Sequence, residues 1–266
     1  MSSDAPVTDP GTERSRAPAF VAVLALAGIV VSLQQTTVVP LLPQFPRLLG
    51  SSAADTTWIV TATLLAGAVA TPVVGRLADM FGKRRMLLVC LVILVIGSVI
   101  GSFSYSLVPL VIGRALQGLA AGVVPLGISL MRDQLPPERL GSATALMSAS
   151  LGVGGALGLP LSALVAQTSD WHVLFWASSA LGVVVIGLVL LAVPESAQRA
   201  GGRFDLLGAV LLSTALVCLL LVVSKGSSWG WGDATTLTLL AIGVLSLAAW
   251  AWWELRTRQP LVDLRV

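Results

Sequence analysis

Apolar residues in this chain do not alternate with polar ones. They run together for about 20 residues at a time, the length that a helix needs to cross hydrocarbon, and polar interruptions rich in Arg, Gly, Pro and Asp separate the runs. Eight stretches have this character: 19–42, 54–74, 86–105, 108–131, 142–166, 173–193, 206–223 and 234–253. At 1.5 Å per residue each reaches across a hydrocarbon core of about 30 Å. Strands of a membrane barrel would alternate with a period of two, and these runs do not. The pattern therefore predicts an all-α, polytopic membrane helix bundle of about eight transmembrane helices. Its connectors are too short to fold alone, which confines function to the spaces between helices or to their ends.

Composition agrees, with 56% hydrophobic and 11% charged residues against about 25% charged in soluble domains. The surplus apolar surface must face lipid, so the bilayer is the first partner. Charge then orients the bundle. Of the 16 Lys and Arg, Arg47 and Lys225 fall on one side, Arg114 falls inside a span, and the remainder cluster on the other side. By the positive-inside rule the crowded side is cytoplasmic. Both termini and the 75–85 turn then lie in the cytosol, with the chain in the plasma (inner) membrane. Residues 1–18 are polar and read as a disordered cytoplasmic tail. The first apolar run is too long for a secretory signal core and reads as a helix. Trp58, Trp171, Trp229, Trp231, Trp250, Trp252 and Trp253 lie near span ends, where an interfacial belt places them.

Other classes of chemistry lack their residues. No Lys/Arg stripe lies beside stacking aromatics, which argues against nucleic acid. Cys90 and Cys218 sit in apolar runs as small hydrophobes, and His172 is the single histidine, so neither a metal nor a cofactor is called for. There is no G-x-x-x-x-G-K-[ST] loop for ATP and no nucleophile–base set for an enzyme.

The most informative polar interruption is Gly75-Arg76-Leu77-Ala78-Asp79-Met80-Phe81-Gly82-Lys83-Arg84-Arg85. Gly75 would let the end of the second helix approach a neighbour, and Asp79 would cap a helix or pair with a guanidinium. Gly82 would permit the chain reversal, and the three basic residues would hold the turn on an anionic inner face. The order G-x-L-A-D-x-x-G-K-R-R resembles the loop between the second and third helices of major facilitator superfamily transporters. That resemblance implies that Gly75, Asp79, Gly82 and Arg85 are gating residues which latch the outward-open state.

In the fourth run, Gly113-Arg114-Ala115-Leu116-Gln117-Gly118 places a charge within the membrane. A central arginine costs about 2.5–3.5 kcal/mol on insertion scales, so Arg114 should face a polar cavity or a partner, or else snorkel to headgroups. The segment is similar to the family's R-x-x-Q-G motif, which implies proton coupling for Arg114 and a cavity position for Gln117. In the first run, Leu33-Gln34-Gln35-Thr36-Thr37-Val38-Val39-Pro40-Leu41-Leu42-Pro43 resembles L-D-x-T-x-V-x-x-A-L-P of multidrug exporters, with Gln34 replacing aspartate. Gln34 and Gln35 either hydrogen-bond substrate in a cavity or bond across helices. None of the 13 acidic residues lies deep within a run, so attraction of a cationic drug is not supported. In the fifth run Gly154, Gly158 and Pro160 resemble an antiporter signature G-x-x-x-G-P-x-x-G-G, with the proline displaced and Ser162-Ala163 at the glycine pair. Small residues at this spacing predict close helix packing. His172 is expected to be an interfacial residue, although its type titrates near neutrality.

The resemblance extends to the C-terminus and fits the drug:proton antiporter branch with fourteen helices. It implies a six-helix N-terminal transporter bundle at 19–193, a cytoplasmic linker at 194–205, two linker helices at 206–253 and a cytoplasmic tail at 254–266. The implied activity is secondary active transport, the proton-coupled export of a small amphipathic compound or drug. Alternating access needs two bundles, so a partial, truncated carrier is expected, completed by a second copy or by the missing C-terminal half. The alternative is a non-transporting scaffold or decoy that pairs with full-length carriers.

Overall fold

The computed structural model describes residues 10–195, 204–257 and 260–262, apart from the side chains of residues 10–17. Eight helices long and apolar enough to cross a membrane make up nearly all of it. They are α1 (Pro10–Thr36), α2 (Trp58–Phe81), α3 (Lys83–Ser102), α4 (Leu107–Gln134), α5 (Pro137–Thr168), α6 (His172–Ala192), α7 (Leu206–Trp229) and α8 (Ala234–Arg256). A 3-10 turn at Ala120–Gly122 interrupts α4. Short helices Phe45–Leu49 and Ala53–Thr56 cover the turn between α1 and α2.

Several boundaries differ from the apolar runs. Helix α1 begins at Pro10, inside the stretch expected to be a tail, whose residues 1–9 lie outside the described residues. Residues 196–203 of the expected linker and 258–259 and 263–266 of the expected C-terminal tail are also outside them. The 75–85 segment is not a loop. Helix α2 continues through Phe81, α3 restarts at Lys83, and Gly82 alone reverses the chain at φ 107°. An L side chain at that angle is strained, and a Cβ there would also meet Glu195 Oε1 at 2.7 Å. Gly75, by contrast, has no atom within 4 Å of where its Cβ would lie, so the close approach expected there is absent. Polar run-ends still start helices by ordinary means: Asp205 accepts from the Gly208 amide and Asp233 from the Thr235 amide.

Helix α1 packs on α5 and α6, α3 on α4 and α6, and α2 on α4. Glycine sets these distances. A Cβ on Gly154 would lie 2.5 Å from the Ile29 carbonyl, and one on Gly158 would collide with Thr36 Oγ1. Pro160 stands apart from this contact, exposed within an unbroken α5. Gly97 and Gly113 face each other across α3 and α4, each with its missing Cβ within 2.7 Å of the other's carbonyl. Helices that lack a hydrophobic drive to associate in lipid depend on such backbone proximity.

Two apolar clusters fill the six-helix bundle. One, towards the end that carries Lys83, contains Leu24, Leu91, Leu130, Met147 and Val189. The other, at the opposite end, contains Val38, Phe45, Ile59, Leu110, Trp171 and Phe175. Polar side chains fall between the clusters: Gln34 between Val31 and Val38, Arg114 between Leu110 and Ala120, Ser178 between Phe175 and Val185. Helix α7 lies against α2, and α8 packs mainly on α7 with most of its surface exposed.

Candidate functional site

Arg114 is 1% exposed, the largest fully buried side chain of the described residues. It does not snorkel. Its Nη1 donates to the Gln34 carbonyl at 3.0 Å and to Gln117 Oε1 at 2.7 Å, and its Nε reaches the Ile59 carbonyl at 3.4 Å. Neither Gln34 nor Ile59 lies in its own helix, so one guanidinium joins α4 to α1 and α2. The Gln34 carbonyl falls near the end of α1, where backbone acceptors run out of helical donors. Arg114 Nη2 has no hydrogen-bond partner among the described residues, and none of their carboxylates forms an ion pair with this arginine.

Ser98 on α3 is the hub of the remaining bonds. Its Oγ accepts from Gln34 Nε2 at 2.6 Å and from Gln117 Nε2 at 3.0 Å, and it donates to the Leu94 carbonyl at 2.8 Å. The amide orientations of Gln34 and Gln117 follow, because a hydroxyl that gives its proton to Leu94 must accept from both. A narrow cleft, without room for a whole water molecule, adjoins this network. Gln34, Thr37, Arg114, Gln117, Leu174, Phe175 and Ser178 line it.

Of the residues singled out in the sequence, Gln34, Arg114 and Gln117 thus converge. Gln35, one position along, is exposed and belongs to no part of the network. Ser98 was not anticipated, although it is the first hydroxyl met in the apolar run 86–105 and the one nearest its middle, a usable signal. Thr37 and Ser178 carried no comparable mark.

The end that carries Lys83 is organised by other residues. Lys83 Nζ pairs with Asp133 on α4 at 2.7 Å, and Arg84 Nη2 donates to the Leu190 carbonyl at 2.7 Å. Asp79, expected to cap a helix or to pair with a guanidinium, does neither among the described residues. Arg85 is exposed. At the opposite end, His172 presents Nε2 to the Ser104 carbonyl at 2.8 Å and Nδ1 to Asp170, with Trp171 stacked on its ring at 3.8 Å. The His172 backbone amide, and after it the ring, hold the Asp170 carboxyl below the usual carboxylate range. His172 thus ties the start of α6 to the α3–α4 turn.

With this geometry in view, likeness to known proteins becomes informative. The Major Facilitator Superfamily model matches residues 24–253. The tetracenomycin C resistance and export protein of Streptomyces glaucescens is 36% identical over 93% of this chain and 46% of its own length. The multidrug export protein EmrB of Haemophilus influenzae is 32% identical over 91% of this chain and 48% of its own length. The chain spans about half the length of these curated relatives. Among solved structures, the human organic anion transporter MFSD10 (TETRAN) superposes with a TM-score of 0.62 at 16% identity, covering 92% of this chain and 71% of that one. The POT family transporter PepTSo gives a TM-score of 0.63 at 16% identity, covering 90% of this chain and 54% of that one. These two likenesses speak to the fold alone. A family match across most of the chain, joined to eight membrane-length helices in that fold, means that this multi-pass membrane protein, a relative of drug-efflux proteins and not an enzyme, belongs to the Major Facilitator Superfamily.

Proposed function

We propose that the chain forms one bundle of a secondary active exporter that moves a small amphipathic compound against its gradient, coupled to protons. The observation that carries this reading is the cross-helix polar layer, Arg114 with Gln34, Gln117 and Ser98, set between two apolar clusters. A buried cation in a membrane bundle is retained at a cost of several kcal/mol, about 2.5–3.5 on insertion scales, and marks a transport or coupling site. In this reading α1–α6 are the transporting bundle and α7–α8 the linker pair. The end that carries Lys83 faces the cytosol together with both chain termini. Gly75, Asp79, Gly82 and Arg85 act in gating at that end. Gln34 and Gln117 meet substrate, Gln35 joins them when the cavity opens, and Gly154 and Gly158 seat α5 against α1.

Alternating access rocks two bundles about a midplane site, so the transporting unit includes a second bundle, from another copy or from a C-terminal half. A potential of 100 mV supplies about 2.3 kcal/mol per elementary charge, a usable drive for export. Arginine stays protonated in proteins, so Arg114 serves coupling by its position and not by releasing a proton.

Proteoliposomes that hold the chain and an imposed pH gradient test the proposal, with tetracenomycin C as probe because a relative is named for its export. Gradient-dependent uptake that Arg114→Ala abolishes is the expected result. Absence of flux, with recovery of the chain bound to a longer carrier, would favour the scaffold reading instead.

A further inference from the structure

The hydrogen bonds of Arg114 are one-sided. Both Nη1 donors are used, by the Gln34 carbonyl and Gln117 Oε1, whereas Nε has only the Ile59 carbonyl at 3.4 Å, the outer limit of a hydrogen bond. Nη2 has no described partner, and Arg114 lines the cleft beside Thr37 and Ser178. A guanidinium offers five donors in a fixed fork, and its Nε–Nη2 edge matches the two oxygens of a carboxylate. Here that edge is the one left available. The charge itself is also uncompensated, because the acid–base pairs among the described residues are Lys83–Asp133 and the Asp170–His172 contact, neither of which reaches this layer. Buried charge without a counter-ion is stabilised by whatever supplies one.

We propose that the Nε–Nη2 edge of Arg114 is an anion subsite, and that the compound handled by this bundle carries a carboxylate, phenolate or enolate on an apolar body. The assignment rests on the reading of this layer as a carrier's path and adds the charge of its cargo. A ligand oxygen takes the Nη2 donors and replaces the long Nε bond to Ile59. The hydroxyls of Thr37 and Ser178 are donors for a second oxygen, and Leu174 and Phe175 face the apolar part. A cationic ligand meets the guanidinium with no carboxylate to offset it, and like-charge contact in a low-dielectric layer excludes it. The cleft is closed in this conformation, so the ligand enters as α6 moves away from α1 and α4.

The test uses three naphthalene probes of similar size on the full chain in nanodiscs of zwitterionic lipid, with empty nanodiscs subtracted. They are 2-naphthoate, neutral 2-isopropylnaphthalene and the cation (2-naphthyl)trimethylammonium. Naphthoate should bind at least tenfold more tightly than the cation, since a charge-assisted hydrogen bond contributes roughly 1.5–3 kcal/mol and 1.4 kcal/mol is a factor of ten. Arg114→Gln should lower naphthoate affinity at least tenfold and leave isopropylnaphthalene, which has no acceptor for the guanidinium, within threefold. Arg114→Lys, which keeps the charge and loses the fork, should fall between. Comparison of the three probes on the unsubstituted chain needs no variant and stands if Arg114→Gln fails to fold. Equal binding of cation and anion, or naphthoate affinity in folded Arg114→Gln within threefold of the parent chain, overturns the subsite. Naphthoate bound as expected but not moved by proteoliposomes keeps the subsite and removes the carrier reading. Flux without charge preference does the reverse.

Discussion

Lys83 donates to both carboxylate oxygens of Asp133, at 2.7 and 2.9 Å, and so joins the first residue of α3 to the last turn of α4. Both side chains are about nine-tenths buried. The geometry reverses an ordinary preference, because a cation at a helix N-terminus opposes the helix dipole. The Asp133 carboxylate compensates, although it sits at a helix C-terminus where its own charge is equally unfavoured. The pair thus offsets two unfavourable helix-end placements at once.

Replacing Lys83 by Met keeps the aliphatic stem and removes both of its hydrogen bonds to the Asp133 carboxylate. The expected loss is about 3 kcal/mol, the cost of removing one partner of a buried pair. Cys90 and Cys218 are free and buried, so a thiol-reactive dye reports unfolding directly. A melt of Lys83→Met in detergent should show dye uptake at a clearly lower temperature than the parent chain. An unchanged melt would mean that this contact is dispensable.

Glycine positions in α5 separate into those that touch α1 and those that do not. A Cβ at Gly158 would strike Thr36 Oγ1 and lie 2.9 Å from the Leu33 carbonyl, whereas one at Gly152 meets nothing within 4 Å. Gly158→Ala should therefore destabilise by about 1–3 kcal/mol through overpacking. Gly152→Ala should stabilise by about 0.5–1 kcal/mol, because a helical glycine is costly to order. Paired melts check the contrast, and equal shifts would contradict the α1–α5 contact.

How far the sequence revealed this arrangement depends on which force decided each part. Span number follows from local hydropathy, so runs such as 206–223 announce α7 unaided. Arg114 is conspicuous because a charge inside an apolar run has one economical explanation. Helix ends were less legible. The segment 75–85 has the polar, glycine-bearing composition of a loop, yet α2 and α3 leave only Gly82 outside a helix, because backbone bonds are satisfied more fully that way. The pairing of Lys83 with Asp133, and the silence of Asp79, depend on how helices rotate against one another, which no local pattern encodes. Ser98 was legible as a hydroxyl near the middle of an apolar run, but its two glutamine partners lie 64 and 19 residues away.

Lys225 tests whether α7 is held to α2 by polar contacts or by lipid-facing packing alone. Its Nζ donates to the Ala54 carbonyl at 3.1 Å and to Thr57 Oγ1, and lies 4.6 Å from the centre of the Trp58 ring. One turn of α2 deeper, Thr61 and Ser224 share a hydrogen bond of 2.7 Å. Lys225→Met removes the donors and the cation–π contact, together about 2 kcal/mol. Cys218 lies on α7 and Cys90 on α3, so the loosening should be local. Dye labelling of Cys218 should accelerate by roughly 30-fold, the equivalent of 2 kcal/mol at 1.4 kcal/mol per decade, while that of Cys90 stays unchanged. Acceleration at both cysteines would instead show that α7 is part of one cooperative unit with the bundle.

Asp170 gives the acid-side dependence of stability at the end opposite Lys83. The His172 amide, followed by its ring, holds the carboxyl below its ordinary value, with burial acting weakly the other way. A carboxyl depressed in the folded state binds fewer protons there than in the unfolded chain. Its contribution is therefore complete above the unfolded value, about 3.9, and is lost as pH falls through the lower folded value. The side chain is 65% exposed, so solvent screening keeps the effect below about 1 kcal/mol. Melts of the parent chain and Asp170→Asn should differ at pH 5 and converge as the pH drops below about 3.9. Curves that stay parallel down to pH 2 would show that the His172 contacts do not favour the charged carboxylate, and the junction of α6 with the α3–α4 turn would then rest on the Trp171–His172 stack and the bond to the Ser104 carbonyl.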